Sequence, residues 1–340
     1  MMNVVALTSS TTSTVKQIPK PTIDDPNDSN QVLVRVHYSA LDTFLHEIAN
    51  GTFGASLAHN LKASPLIPGN HFAGKVEQVG SKVSSTIGVG DAVFGHLQYT
   101  SSVSQGSCSE YLVIPDTELA KLPTNSSSIP LDIAAAATTE GLTAYQALQK
   151  GGMSIKEEGG SCSSILIIGA GGGVGSLAVS MARLLQENVV VDAVCSAKDV
   201  AAVKALGADE VIDRKTTPVE ELQTLNKYDC IFDASGLYSF TKVQRLLKPG
   251  GRLVSTQPSI PGMLFGTWLF PLLFQKKSYQ FVLVESKRED LQQLAEWLDA
   301  KKVPVAIDST YKAVDFDQAW QRQNSKDKKG RIVIQVKGGW

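Results

Sequence analysis

Short, mostly apolar runs of residues typical of β-strands dominate the first third of the chain. Residues 32–36, 74–79, 91–94 and 111–114 are rich in β-branched or aromatic side chains, and glycine-containing turns separate several of them. Runs of this kind, bounded by turn residues, predict β-strands. The polar stretch 124–128 and the proline that follows it predict the end of this β-rich part.

After residue 130, helical spacing alternates with short buried runs. Helices are predicted at 132–137, 142–148, 175–185 and 200–206, and strands at 165–168, 189–195, 211–212, 230–232, 252–255 and 281–284. Regular alternation of this kind predicts parallel βαβ units and a doubly wound sheet. The amphipathic segments 290–298 and 316–323 and the alternating run 332–336 predict a tail that packs back on the first domain.

The chain length suits two domains, since 340 residues exceed one ordinary core. Hydrophobic residues make up 43% and charged residues 19%, a globular composition. The formal net charge of -1 gives no basis for a nucleic-acid partner. The 4 cysteines include no C-x-x-C pair, which argues against a zinc ribbon or a redox motif.

Three segments bear on the location of the protein. The N-terminus lacks the basic and apolar regions of a secretory signal, so we predict a cytoplasmic protein. The Ser/Thr-rich residues 8–14 lack arginine and predict a loop, although organellar import stays open. Residues 260–274 are apolar but shorter than the roughly 20 residues of a membrane span. This segment predicts a buried helix or subunit interface, with a substrate wall or a membrane-contacting lip as alternatives.

Between the predicted strand 165–168 and the next helix lies the glycine-rich sequence 169–175, GAGGGVG. Glycines permit a tight turn and a close approach of the backbone to a pyrophosphate, and the helix N-terminus attracts its negative charge. The strand, loop and helix together predict dinucleotide binding. Counted back from Gly175, the usual first glycine of the motif is Ala170.

The end of the next strand suggests which dinucleotide binds. An NAD site usually places a carboxylate there to hold the ribose 2′-hydroxyl. Here the strand ends with Ser196 and Lys198, and Arg214 follows the third strand. A hydroxyl and two cations suit a 2′-phosphate, so we predict NADPH. Asp199, which follows Lys198, argues against this interpretation.

The chain resembles a known family in an ordered set of motifs. They are PGNHFAG at 68–74, VGDAVFG at 89–95, GSCSEY at 106–111, GLTAY at 141–145, LGAD at 206–209, FDASG at 232–236 and LKPGG at 247–251. This set resembles the medium-chain dehydrogenase/reductase superfamily over nearly the whole chain. The greatest similarity is to its zinc-free quinone oxidoreductase branch, which includes zeta-crystallin-like and reticulon-4-interacting-protein-like members.

The resemblance implies an α/β fold with two domains and a homodimer. A GroES-like catalytic domain is expected at residues 1–128 and 286–340, and a Rossmann NADPH-binding domain at 129–285. Arg331 follows Gly330 where the family has a Gly-Lys pair that reaches the cofactor. The expected cofactor-binding residues are Thr139, Thr143, Ala170, Gly171, Gly172, Gly173, Val174, Gly175, Ser196, Lys198, Arg214, Ser235, Gly236, Phe281, Val282 and Arg331.

Departures from the zinc-dependent relatives predict that this chain holds no metal. Their ligand cysteine is replaced within residues 39–42, their Gly-His-Glu is replaced at 69–71, and their four-cysteine lobe is absent. His71 without cysteine partners does not make a tetrahedral zinc site. The Asn-Pro pair frequent in the quinone branch is replaced by Asp42 and Thr43.

Without a metal to polarise the substrate, hydride transfer favours an electrophile that is already activated. A quinone, an enone or an alkenal qualifies, and a hydrogen-bond donor would stabilise the developing enolate. Tyr38, Asp42 and Thr43 are the candidate catalytic residues, with Thr139 as a further donor. Two alternatives stay open: an enoyl-thioester reductase of fatty-acid metabolism, and an NADPH-binding structural or interaction protein with little turnover.

Overall fold

The structure is a computed structural model that describes residues 1–42, 44–51, 56, 59–100, 104–123, 129–155, 162–265, 269–325 and 327–340, except the side chains of 44–46, 260 and 263. The chain forms two compact units. Unit 1 contains Met1–Leu142, Glu285–Lys301 and Val305–Trp340, and unit 2 contains Thr143–Val284 and Lys302–Pro304.

Unit 1 is built around a 7-stranded sheet and a 2-stranded one. Its strands are β1 (Met2–Leu7), β2 (Ser13–Ile18), β3 (Gln31–Leu41), β4 (His71–Val79), β5 (Ala92–His96), β6 (Tyr111–Pro115), β7 (Leu119–Lys121), β14 (Ile307–Lys312) and β15 (Arg331–Gln335). The larger sheet has the order β14-β15-β3-β4-β5-β7, with β6 also paired to β3. The tail strand β15 runs antiparallel to β3, so the end of the chain completes the first domain, as its sequence pattern predicts.

The core of unit 1 consists of side chains from both ends of the sequence. Val34, Phe72 and Leu112 pack with Trp320 and Ile334 in one buried cluster. The helices are α1 (Phe44–Ala49), α2 (Leu131–Lys150), α8 (Arg288–Asp299) and α9 (Phe316–Gln323), and α2 continues into unit 2.

Unit 2 is a parallel sheet of 6 strands in the order β10-β9-β8-β11-β12-β13. The strands are β8 (Ser164–Ile168), β9 (Val190–Cys195), β10 (Glu210–Asp213), β11 (Tyr228–Asp233), β12 (Leu247–Ser255) and β13 (Ser278–Phe281). The helices between them are α3 (Gly173–Leu185), α4 (Val200–Ala205), α5 (Phe240–Val243), α6 (Ile260–Phe265) and α7 (Leu269–Leu273). Strand order reverses between β8 and β11, where doubly wound sheets bind their ligands.

Several sequence predictions need correction. The two helices predicted at 132–137 and 142–148 are one helix, α2, and the compact units divide inside it, between Leu142 and Thr143. The domain boundary drawn at residue 129 therefore lies before that division, and the assignment of functions to the domains stays a prediction. The last strand of the parallel sheet begins at Ser278 rather than 281, because its pairing with β12 runs from Arg252 to Ser255.

The N-terminal loop and the apolar segment 260–274 also differ from expectation. The Ser/Thr-rich loop predicted at 8–14 ends earlier, since Ser13 already pairs with Leu7 in the β1–β2 hairpin. The second segment forms two short helices with exposed leucines, so a single buried helix is wrong: Leu272 is 79% exposed. No helix in the described part of the chain is long and apolar enough to span a bilayer.

Candidate functional site

The glycine-rich loop leaves the carboxyl end of β8 and becomes the first turn of α3. The N–H groups of Gly169 and Ala170 both bond to the carbonyl of Val194 at 3.0 Å, and these bonds hold the loop over β9. The N–H of Gly172 closes a turn onto Gly169 at 3.0 Å. Ala170 is fully buried, so its side chain packs beneath the turn. Its backbone N–H already donates to Val194.

Gly175 permits the close contact between this helix and the loop. A Cβ at Gly175 would lie 2.3 Å from the carbonyl oxygen of Gly169. Any side chain there would push α3 away from β8, which is the packing role of the last glycine in dinucleotide-binding loops.

The start of α3 is free of a side-chain cap and is exposed. The first intrahelical bond runs from the N–H of Ser176 to the carbonyl of Gly172. Gly172 is the N-cap residue, and because it has no side chain it cannot cap the helix. The N–H groups of Gly173, Val174 and Gly175 precede that bond and point out of the helix end. An exposed glycine surface beside a helix N-terminus fits a pyrophosphate, as predicted for this loop.

The sheet brings the three residues predicted to hold a 2′-phosphate to one edge. β10 lies beside β9, with Asp213 opposite Cys195. Arg214 donates its backbone N–H to the carbonyl of Cys195 at 2.9 Å, so it adjoins Ser196, the next residue along β9. Lys198 and Arg214 are both exposed there.

A carboxylate also stands at this edge. Asp199 bonds through its N–H to the carbonyl of Ser196 at 2.9 Å, and its side chain lies against the glycine loop. A Cβ at Gly171 would meet Asp199 Oδ2 at 2.6 Å. Asp192, earlier on β9, is buried and binds Tyr228 at 2.8 Å and Lys227 at 2.5 Å, so it is committed to the sheet.

The loop after β11 is organised by one buried carboxylate. Asp233 Oδ1 accepts bonds from the N–H groups of Ser235 and Gly236 at 3.0 Å and from the Ser235 hydroxyl at 2.6 Å. Asp233 Oδ2 accepts the N–H of Tyr238 at 2.8 Å. The donors of Ser235 and Gly236 are thus used to shape the loop, which lies against Gly169 across the switch point.

Unit 1 contains a second polar site, where β3 ends and β4 and β15 begin. His71, the first residue of β4, is fully buried. Its Nδ1 lies 2.5 Å from Thr139 Oγ1 on α2 and 3.7 Å from Asp42 Oδ2. The antiparallel register explains the meeting, since Leu41 pairs with Ile332 and places the next residues, Asp42 and Arg331, at the same sheet end.

Arg331 links this site to α2. Its Nη1 forms a buried ion pair with Glu140 Oε1, and its Nη2 lies 3.5 Å from His71 Nε2. Glu140 Oε2 and Arg331 Nε are buried without a hydrogen-bond partner in the described part of the chain. Thr139 and Arg331, both predicted from sequence, therefore meet His71 and Glu140, which sequence reasoning did not assign to the site.

Burial controls the protonation of this cluster. It raises the pKa of Glu140 to about 7, although Arg331 opposes the shift. Burial, with the positive charge of Arg331 beside it, holds the pKa of His71 well below its usual range, so the ring is neutral. Burial and the nearby Asp42 and Glu140 also raise the pKa of Tyr99 well above its usual range. The cluster thus has a neutral imidazole and a phenol that keeps its proton.

The remaining predicted residues are not among the contacts described above, and one of them is not among the residues that the structure describes. Tyr38 packs in an apolar cluster with Ala40, Ala136 and Val333, and it is not among the partners of His71. Thr43 lies outside the described residues. Val282 is buried and bonds through its N–H to Ser255 at 2.9 Å, while Phe281 packs against the core of unit 2. Thr143 is buried one turn after Thr139 on α2, at the start of unit 2.

The described residues contain no group of three or more His, Cys, Asp or Glu side chains arranged to hold a metal. All 4 cysteines are free and buried. Burial raises the pKa of Cys108, which lies 3.6 Å from Ser39 Oγ, to about 12, so this thiol stays protonated.

Comparisons with known proteins agree with the two-part architecture. Residues 28–124 match the family model of the alcohol dehydrogenase GroES-like domain, and residues 206–334 match the model described as zinc-binding dehydrogenase. A chloroplastic quinone-oxidoreductase homolog from Spinacia oleracea is 30% identical over 92% of this chain and 92% of its own length. This chain belongs to the medium-chain dehydrogenase/reductase superfamily, in its quinone oxidoreductase-like branch.

Further relatives share the sequence or the fold of this superfamily member. A trans-enoyl reductase, pgmF, from Aspergillus terreus is 29% identical over 92% of this chain and 88% of its own length. The quinone oxidoreductase structure from Coxiella burnetii has the same fold, with a TM-score of 0.79 and 23% identity over 98% of this chain and 99% of that one. The predicted fold class and family are confirmed, and the chain is an oxidoreductase whose fold binds a nicotinamide cofactor.

Proposed function

We propose that this medium-chain reductase transfers hydride from NADPH to a quinone or to an α,β-unsaturated carbonyl compound, without zinc. The observation that carries the proposal is the uncapped, exposed glycine loop beside the strand edge that holds Ser196, Lys198 and Arg214. When bound, NADPH supplies the hydride, and the chain supplies binding, orientation and electrostatics.

The phosphate groups of the cofactor define the roles of unit 2. The N–H groups at the start of α3 receive the pyrophosphate, because the helix end has unpaired donors and a partial positive charge. Lys198 and Arg214 receive the 2′-phosphate through charge-assisted hydrogen bonds, and Ser196 adds a hydroxyl. The negative charge of Asp199 opposes the binding of the 2′-phosphate.

The polar cluster of unit 1 is the proposed catalytic centre. A neutral His71 holds Thr139 and faces Asp42, and a protonated Tyr99 contributes a hydrogen-bond donor. We propose that the Thr139 hydroxyl donates a hydrogen bond to the carbonyl of the acceptor and that His71 positions the Thr139 side chain, with Asp42 on the other side of the imidazole. Thr43 remains a candidate donor, whereas the apolar surroundings of Tyr38 give it a packing role.

Steady-state oxidation of NADPH tests the reaction. A panel of quinones, 2-alkenals and enoyl-CoA compounds should include at least one acceptor with turnover, and Thr139→Val should reduce kcat more than it changes the KM for NADPH. Tight NADPH binding without turnover on any acceptor would contradict the proposed reaction and favour the low-turnover binding protein.

The cofactor assignment has its own test. Lys198→Ala and Arg214→Ala should each lower kcat/KM for NADPH about tenfold and leave kcat/KM for NADH nearly unchanged, since a charge-assisted phosphate contact contributes about 1.5–3 kcal/mol. An unchanged preference would show that the 2′-phosphate binds elsewhere.

The enoyl-thioester reductase stays a second candidate because the Aspergillus relative carries the name trans-enoyl reductase. Turnover confined to enoyl-CoA would select it. The homodimer implied by the family also stays a proposal, and sedimentation velocity tests it. The cytoplasmic location is likewise a prediction, although the spinach relative is named chloroplastic.

A further inference from the structure

Unit 2 has a cavity of about 300 Å³ at the sheet end opposite the glycine loop. It is lined by residues that immediately precede three of the parallel strands. Asn226 precedes β11, Arg245 precedes β12, and Lys277 precedes β13. The glycine loop follows the carboxyl end of β8, so this cavity is a separate site from the one proposed for the cofactor.

Lys277 is an unusual residue for the floor of a cavity. It is only 4% exposed, and its Nζ lies 3.3 Å from Asn226 Oδ1. Burial lowers the pKa of Lys277, and no carboxylate of the described chain offsets that effect. Lysine is almost never buried unless an anion pairs with it, so the position favours an anionic partner from outside.

Arg245 adds a second cation to the same cavity. Its Nη2 donates to the backbone carbonyl of Glu220 at 2.6 Å, whereas the Glu220 carboxylate lies 3.5 Å from Lys242. Among the ion pairs of the described residues, neither Arg245 nor Lys277 meets a carboxylate. Lys276, next in the chain to Lys277, is exposed beside them.

The outer wall of the cavity is apolar and exposed. Leu225 is 64% exposed and Leu273 is 63% exposed, and the neighbouring Leu272 is 79% exposed. Below them, Phe274 packs edge-on against Phe270 at 5.8 Å between ring centroids. Leucines that project beside these cations make an amphipathic surface of the kind that lies in a membrane interface.

We propose that this cavity and its leucine rim form a docking site for an anionic phospholipid surface. Lys277 and Arg245 donate hydrogen bonds to the headgroup phosphate. Leu225, Leu272 and Leu273 enter the boundary between headgroups and acyl chains. A second copy of the chain fits less well, because a two-fold contact on this patch would bring two sets of cations together without adding negative charge. This inference does not depend on the proposed function.

Vesicle flotation with the full chain tests the proposal. Vesicles of phosphatidylcholine mixed with an equal amount of phosphatidylglycerol should bind the protein, vesicles of phosphatidylcholine alone should not, and added salt should weaken binding. Lys277→Met and Arg245→Gln should each lower the partition coefficient about fivefold, which corresponds to about 1 kcal/mol per basic residue. The double variant Leu272→Ser/Leu273→Ser should lower it at least tenfold.

Matched controls separate the patch from general surface effects. Lys16→Gln and Val89→Ser change an exposed cation and a 67% exposed valine of unit 1, and both should bind vesicles like the wild type. Equal losses in these controls, or no binding to the anionic vesicles, would overturn the proposal. Complete competition by millimolar inorganic phosphate would identify a free-phosphate site, and a change of oligomeric state in the leucine variant without vesicle binding would identify a contact between copies; either result also overturns it.

Discussion

The carboxylate of Asp199 lies against the backbone of Gly171, so close that a Cβ at Gly171 would be 2.6 Å from Asp199 Oδ2. This contact places a negative charge beside the loop that we propose receives the cofactor phosphates. Lys198 and Arg214 stand at the same strand edge. We therefore expect the preference between NADPH and NADH to depend on a balance of opposite charges within this edge.

Removing the charge of Asp199 should shift that balance towards NADPH. Asp199→Asn keeps the size of the side chain and removes its repulsion of a 2′-phosphate. We expect the ratio of kcat/KM for NADPH to that for NADH to rise about fivefold to tenfold, equivalent to about 1 kcal/mol at a partly solvated site. Initial-rate kinetics with both cofactors measure the ratio.

Glu187→Gln is the control, because Glu187 is an exposed carboxylate of the same unit beyond the end of α3. It should leave the ratio unchanged. A fall in the ratio for Asp199→Asn would mean that Asp199 supports NADPH binding, for example by orienting Lys198.

The contact between Gly175 and the loop gives a second prediction. Gly175→Ala would put a methyl group 2.3 Å from the carbonyl oxygen of Gly169, so α3 must move away from β8. We expect the dissociation constant for NADPH to rise at least tenfold, since the helix N-terminus and the loop would no longer present their N–H groups together. Fluorescence titration of NADPH measures the constant.

Gly88→Ala is the matched control, because a Cβ there meets nothing closer than 3.8 Å. It should bind NADPH like the wild type. Thermal unfolding of Gly175→Ala, followed in parallel, shows whether the variant is folded. Unchanged NADPH binding by a folded variant would contradict the packing role of this glycine.

The sequence predicts the parallel sheet well because each buried strand is a short apolar run beside a glycine or a helical pattern. It predicts the glycine loop for the same reason. The strands β1, β2, β7 and β14 were not predicted. β2, for example, is mostly exposed and polar, and it pairs with β1. The exposed leucines of α7 could not be predicted, because hydrophobicity alone predicts burial.

The glycine-rich loop was easier to predict than the polar cluster of unit 1. A dinucleotide loop is continuous in sequence, whereas Asp42, His71, Glu140 and Arg331 come from four distant segments that the sheet register and the packing of α2 bring together. One local signal was present: Glu140 interrupts an otherwise apolar, alanine-rich part of α2. A charged residue there requires a buried partner, which is Arg331.

That buried ion pair gives a third prediction, on stability. Glu140→Gln leaves the Arg331 guanidinium buried without its carboxylate, and loss of one partner of a buried pair costs about 3–5 kcal/mol. The double variant Glu140→Leu/Arg331→Met should recover most of this loss, because it leaves no uncompensated charge. Urea unfolding at about pH 8, where Glu140 is ionised, gives the free energies.

The single variants Glu140→Leu and Arg331→Met, measured beside the double variant Glu140→Leu/Arg331→Met, complete a double-mutant cycle. We expect the double variant to be more stable than Glu140→Gln by at least 1 kcal/mol, about the size of a resolvable coupling. Additive losses would show that Glu140 and Arg331 contribute independently, in spite of their contact.

Acid sensitivity gives the last prediction. Burial lowers the pKa of His96 from 6.5 to about 3, and both ring nitrogens lack hydrogen-bond partners among the described residues. Between these values the unfolded chain binds a proton that the folded protein does not, so stability falls as the pH falls, by about 1.4 kcal/mol per pH unit for this residue. Glu140 acts in the opposite direction. Its pKa is raised to about 7, so acidification favours the folded state until the pH reaches the ordinary pKa of a glutamate, near 4.5.

His96→Asn should therefore reduce the slope of unfolding free energy against pH between about 4.5 and 6.5 by one proton. Tyr99→Phe, which keeps the ring that packs edge-on against His96 at 4.7 Å between centroids, should keep the wild-type slope. Unfolding titrations across this range measure both slopes, and an unchanged slope in His96→Asn would mean that the folded protein already binds a proton at this ring.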